Sequence, residues 1–335
     1  MQDTAVQMNR LVTVFGGSGF VGRNVVLALA RAGWRVRVAA RRPDLAFHLQ
    51  PSGRVGQIHA VQANLRYPQS LAAALHKSDA VVNLVGILRE RGAQTFEAIH
   101  VEGARAVAEA AKTAGIANLV HVSALGADAQ STSAYARSKA AGEAAVRGVV
   151  PEAVILRPSV VFGPEDTFFN RFAAMARLSP ALPLIGGGAT KFQPVSAGDV
   201  GLAIVRTLDE AAARGKTYEL GGPDIRSLRE ILVYILEVVE RRRLLVPLPF
   251  PLAKLVAVLT EIATKLSLGF YPETFALTRD QVELLRTDNI VSQEAIAQMR
   301  TLAGLGIEAE TFEAIVPAYI SRFRKTGRFA DQRYA

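Results

Sequence analysis

Residues 12–22, VTVFGGSGFVG, leave this chain little choice of local structure. Val12, Thr13, Val14 and Phe15 suit a strand buried on both faces. They run directly into Gly16, Gly19 and Gly22, spaced Gly-x-x-Gly-x-x-Gly, and a helical pattern follows. In such a strand–turn–helix unit the first glycine makes the tight turn and the second lets backbone approach a pyrophosphate. The third lets the helix lie close on the sheet. Free N–H groups and the positive end of the helix then hold the phosphates. The turn therefore implies dinucleotide binding, with Gly16, Ser18, Gly19, Phe20 and Val21 as cofactor-binding residues. The plainer alternative is an ordinary glycine-rich turn.

The rest of the N-terminal half alternates strands and helices. Phe20 to Ala32 reads as a helix ended by Gly33, and strands are predicted at 35–40, 58–62, 80–84 and 118–122. A long helical pattern spans about Thr95 to Ala114. Alternation at this spacing implies βαβ units and a parallel sheet. The second strand ends in Arg41-Arg42-Pro43, where NAD-binding chains usually place an acid for the ribose hydroxyls. Two guanidinium groups there suit a 2′-phosphate, so NADP(H) is favoured; the nearby Asp44 keeps NAD(H) open. After the third strand, Asn64 and Leu65 offer a polar edge and an apolar wall to an adenine.

Composition sets the outer bounds. At 335 residues the chain suits a large domain with a smaller one, and 50% hydrophobic content is ample for a core. There is no cysteine, which excludes disulfides and thiolate metal sites. The five histidines, His48, His59, His76, His100 and His121, show no ligand spacing, and no metal site is expected. The opening MQDTAVQMNR has an acid and no apolar run, unlike a secretory signal. A bacterial cytoplasmic setting is expected, with a processed organellar protein as the alternative. The net charge of +9 gathers at Arg241–Arg243 and in a tail carrying Arg322, Arg324, Lys325, Arg328 and Arg333 against Asp331. Such surface suits anionic lipid or an acidic protein, or is a solvated face. No RNA-binding module pattern accompanies it, so nucleic acid is not expected.

Ser123 stands at the end of the fifth strand, and twelve residues later come Tyr135 and Lys139, four apart on one helix face. A cationic lysine beside a phenol favours the phenolate. A serine hydroxyl meanwhile hydrogen-bonds a substrate oxygen, so the trio suits proton transfer beside a nicotinamide hydride. A surface Tyr–Lys pair is the bland alternative.

Together, the glycine turn, the Asn83–Gly86 segment, Ser123 and Tyr135-x-x-x-Lys139 resemble the extended short-chain dehydrogenase/reductases. The run VILRPSVVFGP (154–164) is similar to that family's strand and loop after the catalytic helix. The resemblance covers about 11–225, including Gln193-Pro194-Val195 and Leu220-Gly221-Gly222-Pro223. It implies that Val85, Gly86, Pro158 and Val160 join Tyr135 and Lys139 in binding the cofactor. A narrower likeness runs from the glycine turn to about Ile307. VILRPSVVFGPEDTFFNRFA, FQPVSAGDVGLAIV and LLVPLPFPLAKLVAVLTEI resemble the short-chain-dehydrogenase-like accessory subunits of respiratory complex I. That likeness implies a structurally held NADPH without established turnover, on the peripheral arm near the membrane and the quinone site.

In the C-terminal third, Leu228 to Val239 reads as an amphipathic helix. Pro247, Pro249 and Pro251 then break regular structure across 244–250. Leu252 to Leu268 resumes as a helix whose charges, Lys254, Glu261 and Lys265, share one narrow stripe. It is too short to span a bilayer, which takes roughly 20 uninterrupted apolar residues. Its greasy circumference suits core packing, a protein partner or a membrane surface. Further helical pieces are expected at Val282–Asn289 and Ile307–Phe323. The expected fold is α/β: a Rossmann-type doubly wound parallel sheet over 11–225, parts of 165–225 joining a smaller helical C-terminal portion (226–330) that closes over the cofactor cleft. Three functions stay in view: a non-catalytic complex I accessory subunit holding NADP(H), an active NADP-dependent reductase or epimerase, and a redox-sensing module.

Overall fold

The structure is a computed structural model that describes residues 10–266 and 275–327. Arg328, Asp331, Arg333, Leu268 and the first nine residues fall outside the described residues, as does the side chain of Lys265. The chain forms two compact units and passes between them repeatedly: residues up to 158, 197–221 and 291–309 make the first, and 159–196, 222–290 and the chain from 310 make the second. The sequence expectation divided the chain near 225, with parts of 165–225 in the smaller portion. Residues 291–309 join the first unit because Val291 and Ala295 pack with Leu125. The Ser292 N–H also donates to Glu219 Oε2 at 2.8 Å, and the Glu219 N–H to the Arg300 carbonyl at 2.9 Å.

The first unit follows the strand–helix alternation of the sequence. In chain order it holds β1 (Leu11–Phe15), α1 (Phe20–Arg31), β2 (Arg35–Ala40), β3 (Ile58–Gln62), α2 (Pro68–Leu75), β4 (Ala80–Asn83), α3 (Gly103–Thr113), β5 (Leu119–Val122), α4 (Ala134–Val149), β6 (Val154–Pro158), α5 (Ala197–Asp209) and β7 (Thr217–Leu220). The sheet order is β7-β6-β5-β4-β1-β2-β3, and all six pairings are parallel. Strand order reverses between β1 and β4, which opens a crevice at their carboxyl ends. All five residues of β1 are buried, as a central strand covered on both faces requires. One face carries Phe15, Leu71, Leu75, Val81, Val107, Leu119 and Ile155. On α5, Gly201 lies so near α1 that a Cβ would stand 3.1 Å from Ala28 Cβ.

The long helical pattern at 95–114 holds a surprise. It opens with a π turn, Glu97–Glu102, before α3 begins. Gly142 of α4 presses on that turn: a Cβ there would stand 2.2 Å from the His100 carbonyl oxygen. Widened turns of this kind gather at functional sites.

The second unit carries the helical C-terminal part, as expected, together with short strands. Its helices are Phe169–Leu178, Leu228–Val238, Phe250–Leu266, Arg279–Leu284 and Phe312–Ile320. Three two-stranded sheets join them: Val161–Phe162 with Val195–Ser196, Lys191–Phe192 with Arg226–Ser227, and Ala181–Ile185 with Leu244–Leu248. Phe162, Phe169, Leu182, Leu184, Ile231 and Val316 form its core. The prolines do not break 244–250. Leu244–Leu248 runs parallel to Ala181–Ile185, with Pro247 opposite Leu184. In a two-stranded sheet each strand is an edge, which tolerates the missing N–H. Pro251 sits in the first turn of Phe250–Leu266, where a fixed φ suits the helix. The later pieces shift as well: a capping box at Thr278 and Gln281 starts a helix at Arg279, and Thr311 caps Phe312–Ile320.

The helix Phe250–Leu266 is oriented against the usual rule. Its charged stripe faces the helix Arg279–Leu284: Lys254 pairs with Glu283, and Glu261 with Arg279 at 3.0 Å. Ala253 and Ala257 are buried on that side. Leu252, Leu255, Leu259, Ile262 and Leu266 are all exposed. Among the described residues no helix is long and apolar enough to cross a membrane. The basic clusters are partly structural: Arg241 and Arg324 donate to the carbonyls of Phe323 and Val238, Arg243 to that of Ala176, and Arg322 to Asn170 Oδ1.

Candidate functional site

The glycine turn stands at the reversal of strand order. Gly16 has φ +80°, a region L side chains rarely adopt, and a Cβ there would meet the Leu84 and Val85 backbone at 3.2 Å. At Gly22 a Cβ would stand 2.3 Å from the Gly16 carbonyl oxygen, so only glycine lets α1 start this close to β1. Gly19 is different. It is exposed, and the nearest protein atom to a Cβ there is 3.4 Å away. The protein itself leaves room for a methyl group at Gly19, so a glycine there fits a group that approaches from outside. Gly19 is also the N-cap of α1, which has no acid in its first turn, and an anion suits that end. Arg23 donates from Nε to the Ser18 carbonyl at 3.1 Å and braces the bend, a contact the sequence reading missed. Ser18, Phe20 and Val21 are half-buried along the same bend.

After β2, the two arginines part company. Arg42 is paired with Asp44 at 2.8 Å, both exposed, and the guanidinium holds the Asp44 carboxyl below its ordinary value. Arg41 is exposed with no partner among the described residues. After β3, Asn64 spends its side-chain oxygen on its own turn, accepting from the Arg66 N–H at 3.1 Å. Leu65 packs against the first-unit core. Val85 N–H donates to Asn83 Oδ1 at 3.1 Å, Val85 packs into the same core, and Gly86 is exposed. Pro158 ends β6, and its carbonyl accepts the Leu125 N–H. Val160 belongs to the second unit, where its N–H donates to Asn289 Oδ1.

Tyr135 and Lys139 lie one turn apart on α4, which is capped by the Ser133 side chain accepting from the Ala136 N–H. Lys139 is buried and donates from Nζ to the Val122 carbonyl at 3.1 Å, the peptide immediately before Ser123. Burial pushes the Lys139 ammonium down to about 8, with Glu143 pulling the other way. Glu143, a further turn along α4, is held by Arg157 through two bonds of 2.9 and 2.7 Å. The Ser123 Oγ is buried and has no hydrogen-bond partner among the described residues, which leaves it available to an oxygen entering the site. Tyr135 is half-buried, with its ring edge-on to Phe96 and His100 at 5.8 and 5.5 Å.

Behind the trio lies a buried polar layer. His121 sits opposite Asn83 in the sheet, with Nδ1 3.2 Å from Asn83 Nδ2. His100 accepts the Ile87 N–H at Nε2 and meets Ser138 Oγ at Nδ1. Burial, then the nearby Lys139 charge, pushes both imidazoles down to about 3, so both are uncharged at neutral pH. Neither role was legible in sequence, because the partners are remote in the chain.

A parallel sheet of this order, with a glycine bend at its switch point and a Ser–Tyr–Lys trio on the neighbouring elements, defines a short-chain dehydrogenase-like architecture. The model of the NAD dependent epimerase/dehydratase family matches residues 12–221, and the chain belongs to that family. Its relatives include NADH dehydrogenase [ubiquinone] 1 alpha subcomplex subunit 9 of Arabidopsis thaliana, 38% identical over 85% of this chain and 72% of the relative. The Mus musculus protein of the same name is 36% identical over 90% and 78%. Among solved structures, the NADPH-dependent quinone oxidoreductase QOR2 of Escherichia coli shares the fold, with a TM-score of 0.69, 20% identity and coverage of 90% and 97%.

Proposed function

We infer that this chain is an accessory subunit of respiratory complex I that holds NADP(H) as a fixture of its fold. The observation that carries this reading is the likeness, at 36–38% identity over most of the chain, to subunits named for that complex. The glycine bend would hold the diphosphate, Arg41 the 2′-phosphate, and Gly86, Tyr135 and Lys139 the nicotinamide end. Bound there, the dinucleotide supplies hydride chemistry; the chain's own residues bind and orient it. A ligand held only by the native state also stabilises that state. The subunit would dock on the peripheral arm near the quinone site, on the cytoplasmic face of a bacterial inner membrane or the matrix face of an organellar one. The exposed leucines of Phe250–Leu266 would meet the membrane surface or a neighbouring subunit. Affinity capture from solubilised membranes should recover flavin- and iron–sulfur-containing NADH dehydrogenase subunits together with this chain. Recovery solely as a free protein overturns the reading. In native mass spectrometry the purified chain should carry NADP(H). Arg41→Ala should weaken NADPH about tenfold more than NADH, given that charge-assisted bonds contribute roughly 1.5–3 kcal/mol; equal losses would remove the argument for the 2′-phosphate.

The intact trio favours a second reading, an active NADP-dependent reductase or epimerase. Lys139 donates to the Val122 carbonyl just before Ser123, whose Oγ is unpartnered among the described residues. On that reading Tyr135 donates or accepts the proton. Tyr135→Phe should then abolish turnover of a carbonyl substrate while leaving the dinucleotide bound, and unchanged turnover would end the idea.

A further inference from the structure

His100 lies in the π turn Glu97–Glu102, 2% exposed, outside every motif that defines the site. Its hydrogen bonds fix its chemistry. Nε2 accepts the Ile87 N–H at 3.0 Å and therefore carries a lone pair, so the single ring proton is on Nδ1. Nδ1 donates to Ser138 Oγ at 2.8 Å, and Ser138 Oγ donates onward to the Tyr135 carbonyl at 2.7 Å. The ring stacks on Phe96 at 5.3 Å and 20°, and meets the Tyr135 ring edge-on at 84°.

These contacts join two segments that the sheet leaves separate. One is the loop after β4, which abuts the glycine bend at Leu84 and Val85. The other is the start of α4, which carries Tyr135 and Lys139. At the corner between them, a Cβ on Gly86 would stand 3.5 Å from Lys139 Nζ and 3.6 Å from His100 Nε2. We propose that His100 is a positioning residue: an imidazole locked as the Nδ1–H tautomer, it straps the loop at Gly86–Ile87 to the first turn of α4 and so fixes the Tyr135 ring beside the nicotinamide end of the cleft. A second cation beside Lys139 would push the lysine off its Val122 carbonyl, so the strap works in its uncharged form. The positional role rests on the dinucleotide reading above; the tautomer does not.

The test uses the full chain and four variants. Nitrogen-15 NMR of the histidine rings, with His100→Gln to assign the signal, should show the Nδ1–H tautomer at pH 7. That signal should not titrate between pH 8 and 5. The Tyr135 phenol is followed by its ultraviolet titration, with Tyr135→Phe as the blank, and NADPH release by its fluorescence. His100→Ala should shift the Tyr135 midpoint and release NADPH about tenfold faster, the loss of roughly one to two hydrogen bonds. His100→Gln, which keeps an acceptor and a donor, should restore both to within about threefold. Ser138→Ala, which removes one link of the strap, should give a smaller change in the same direction and serves if His100→Ala does not fold. An Nε2–H tautomer, a titration near 6.5, or a Tyr135 midpoint and release rate unmoved in the alanine variants would overturn the proposal. If the native chain binds no dinucleotide, the cofactor reading fails by itself. The tautomer and the Tyr135 midpoint then still decide the strap.

Discussion

Two helices of this protein treat their apolar residues in opposite ways. In the first unit, α1 turns Val25, Val26 and Leu29 inward to full burial and begins at a bend where no atom can be added to Gly22. In the second, Phe250–Leu266 turns its charges toward Arg279–Leu284 and leaves its leucines in the open, Leu255 55% and Leu266 78% exposed. A helix folded for its own unit alone buries its apolar stripe. This one buries alanines, keeps its ion pairs open to solvent and presents leucines, and exposed apolar patches of this kind mark interaction sites. The first region is packed by its own core, and the second keeps an apolar face exposed.

That contrast breaks most readily at the glycines. Gly22→Ala forces a Cβ into the Gly16 carbonyl and should cost about 3 kcal/mol in thermal or urea unfolding, with loss of bound nucleotide. Compared in the absence of nucleotide, Gly19→Ala should leave stability within about 0.5 kcal/mol and still fail to bind the nucleotide, because its Cβ fills the outer space alone. If both variants unfold alike, the bend is structural and the cofactor cradle is wrong.

Lys139 offers a sharper test through pH. Its folded-state value is lowered to about 8 from 10.5, so between those pH values the unfolded chain binds more protons. Stability contributed by this group therefore rises as pH climbs from about 8 to 10.5, and the penalty is full below 8. Lys139→Met should raise stability at pH 7 by about 2 kcal/mol, and the gain should shrink toward pH 10. A gain independent of pH would show that packing, not charge burial, is responsible.

The smallest stability effect belongs to the outward face. Leu255→Glu with Leu259→Glu should change the unfolding free energy of the purified chain by no more than about 0.5 kcal/mol, yet abolish its recovery with membranes or with respiratory subunits. A large destabilisation would mean that the face is buried within the chain after all.

Local residue order laid out most of the first unit, though not residues 291–309, which join it through Leu125 and Glu219. Strand residues running into spaced glycines, then alternating strands and helices, dictate a parallel sheet with its bend at a predictable place. β2 and β3 span the residues that the sequence pattern marked, 35–40 and 58–62. Ser123, Tyr135 and Lys139 were legible for the same reason: two share a helix face and one closes a strand. The tertiary structure decided everything that depends on contacts between distant segments. Pro247 is strand and not breaker because Leu184 lies opposite it. Arg42 is tied up by Asp44, while its neighbour Arg41 has no partner among the described residues. His100 is a strap because Ile87 and Ser138 reach it from elsewhere. Which way the helix Phe250–Leu266 faces was also beyond sequence: a stripe of charges reads the same whether it meets water or two partners of opposite sign, and only the arrival of Glu283 and Arg279 settled it.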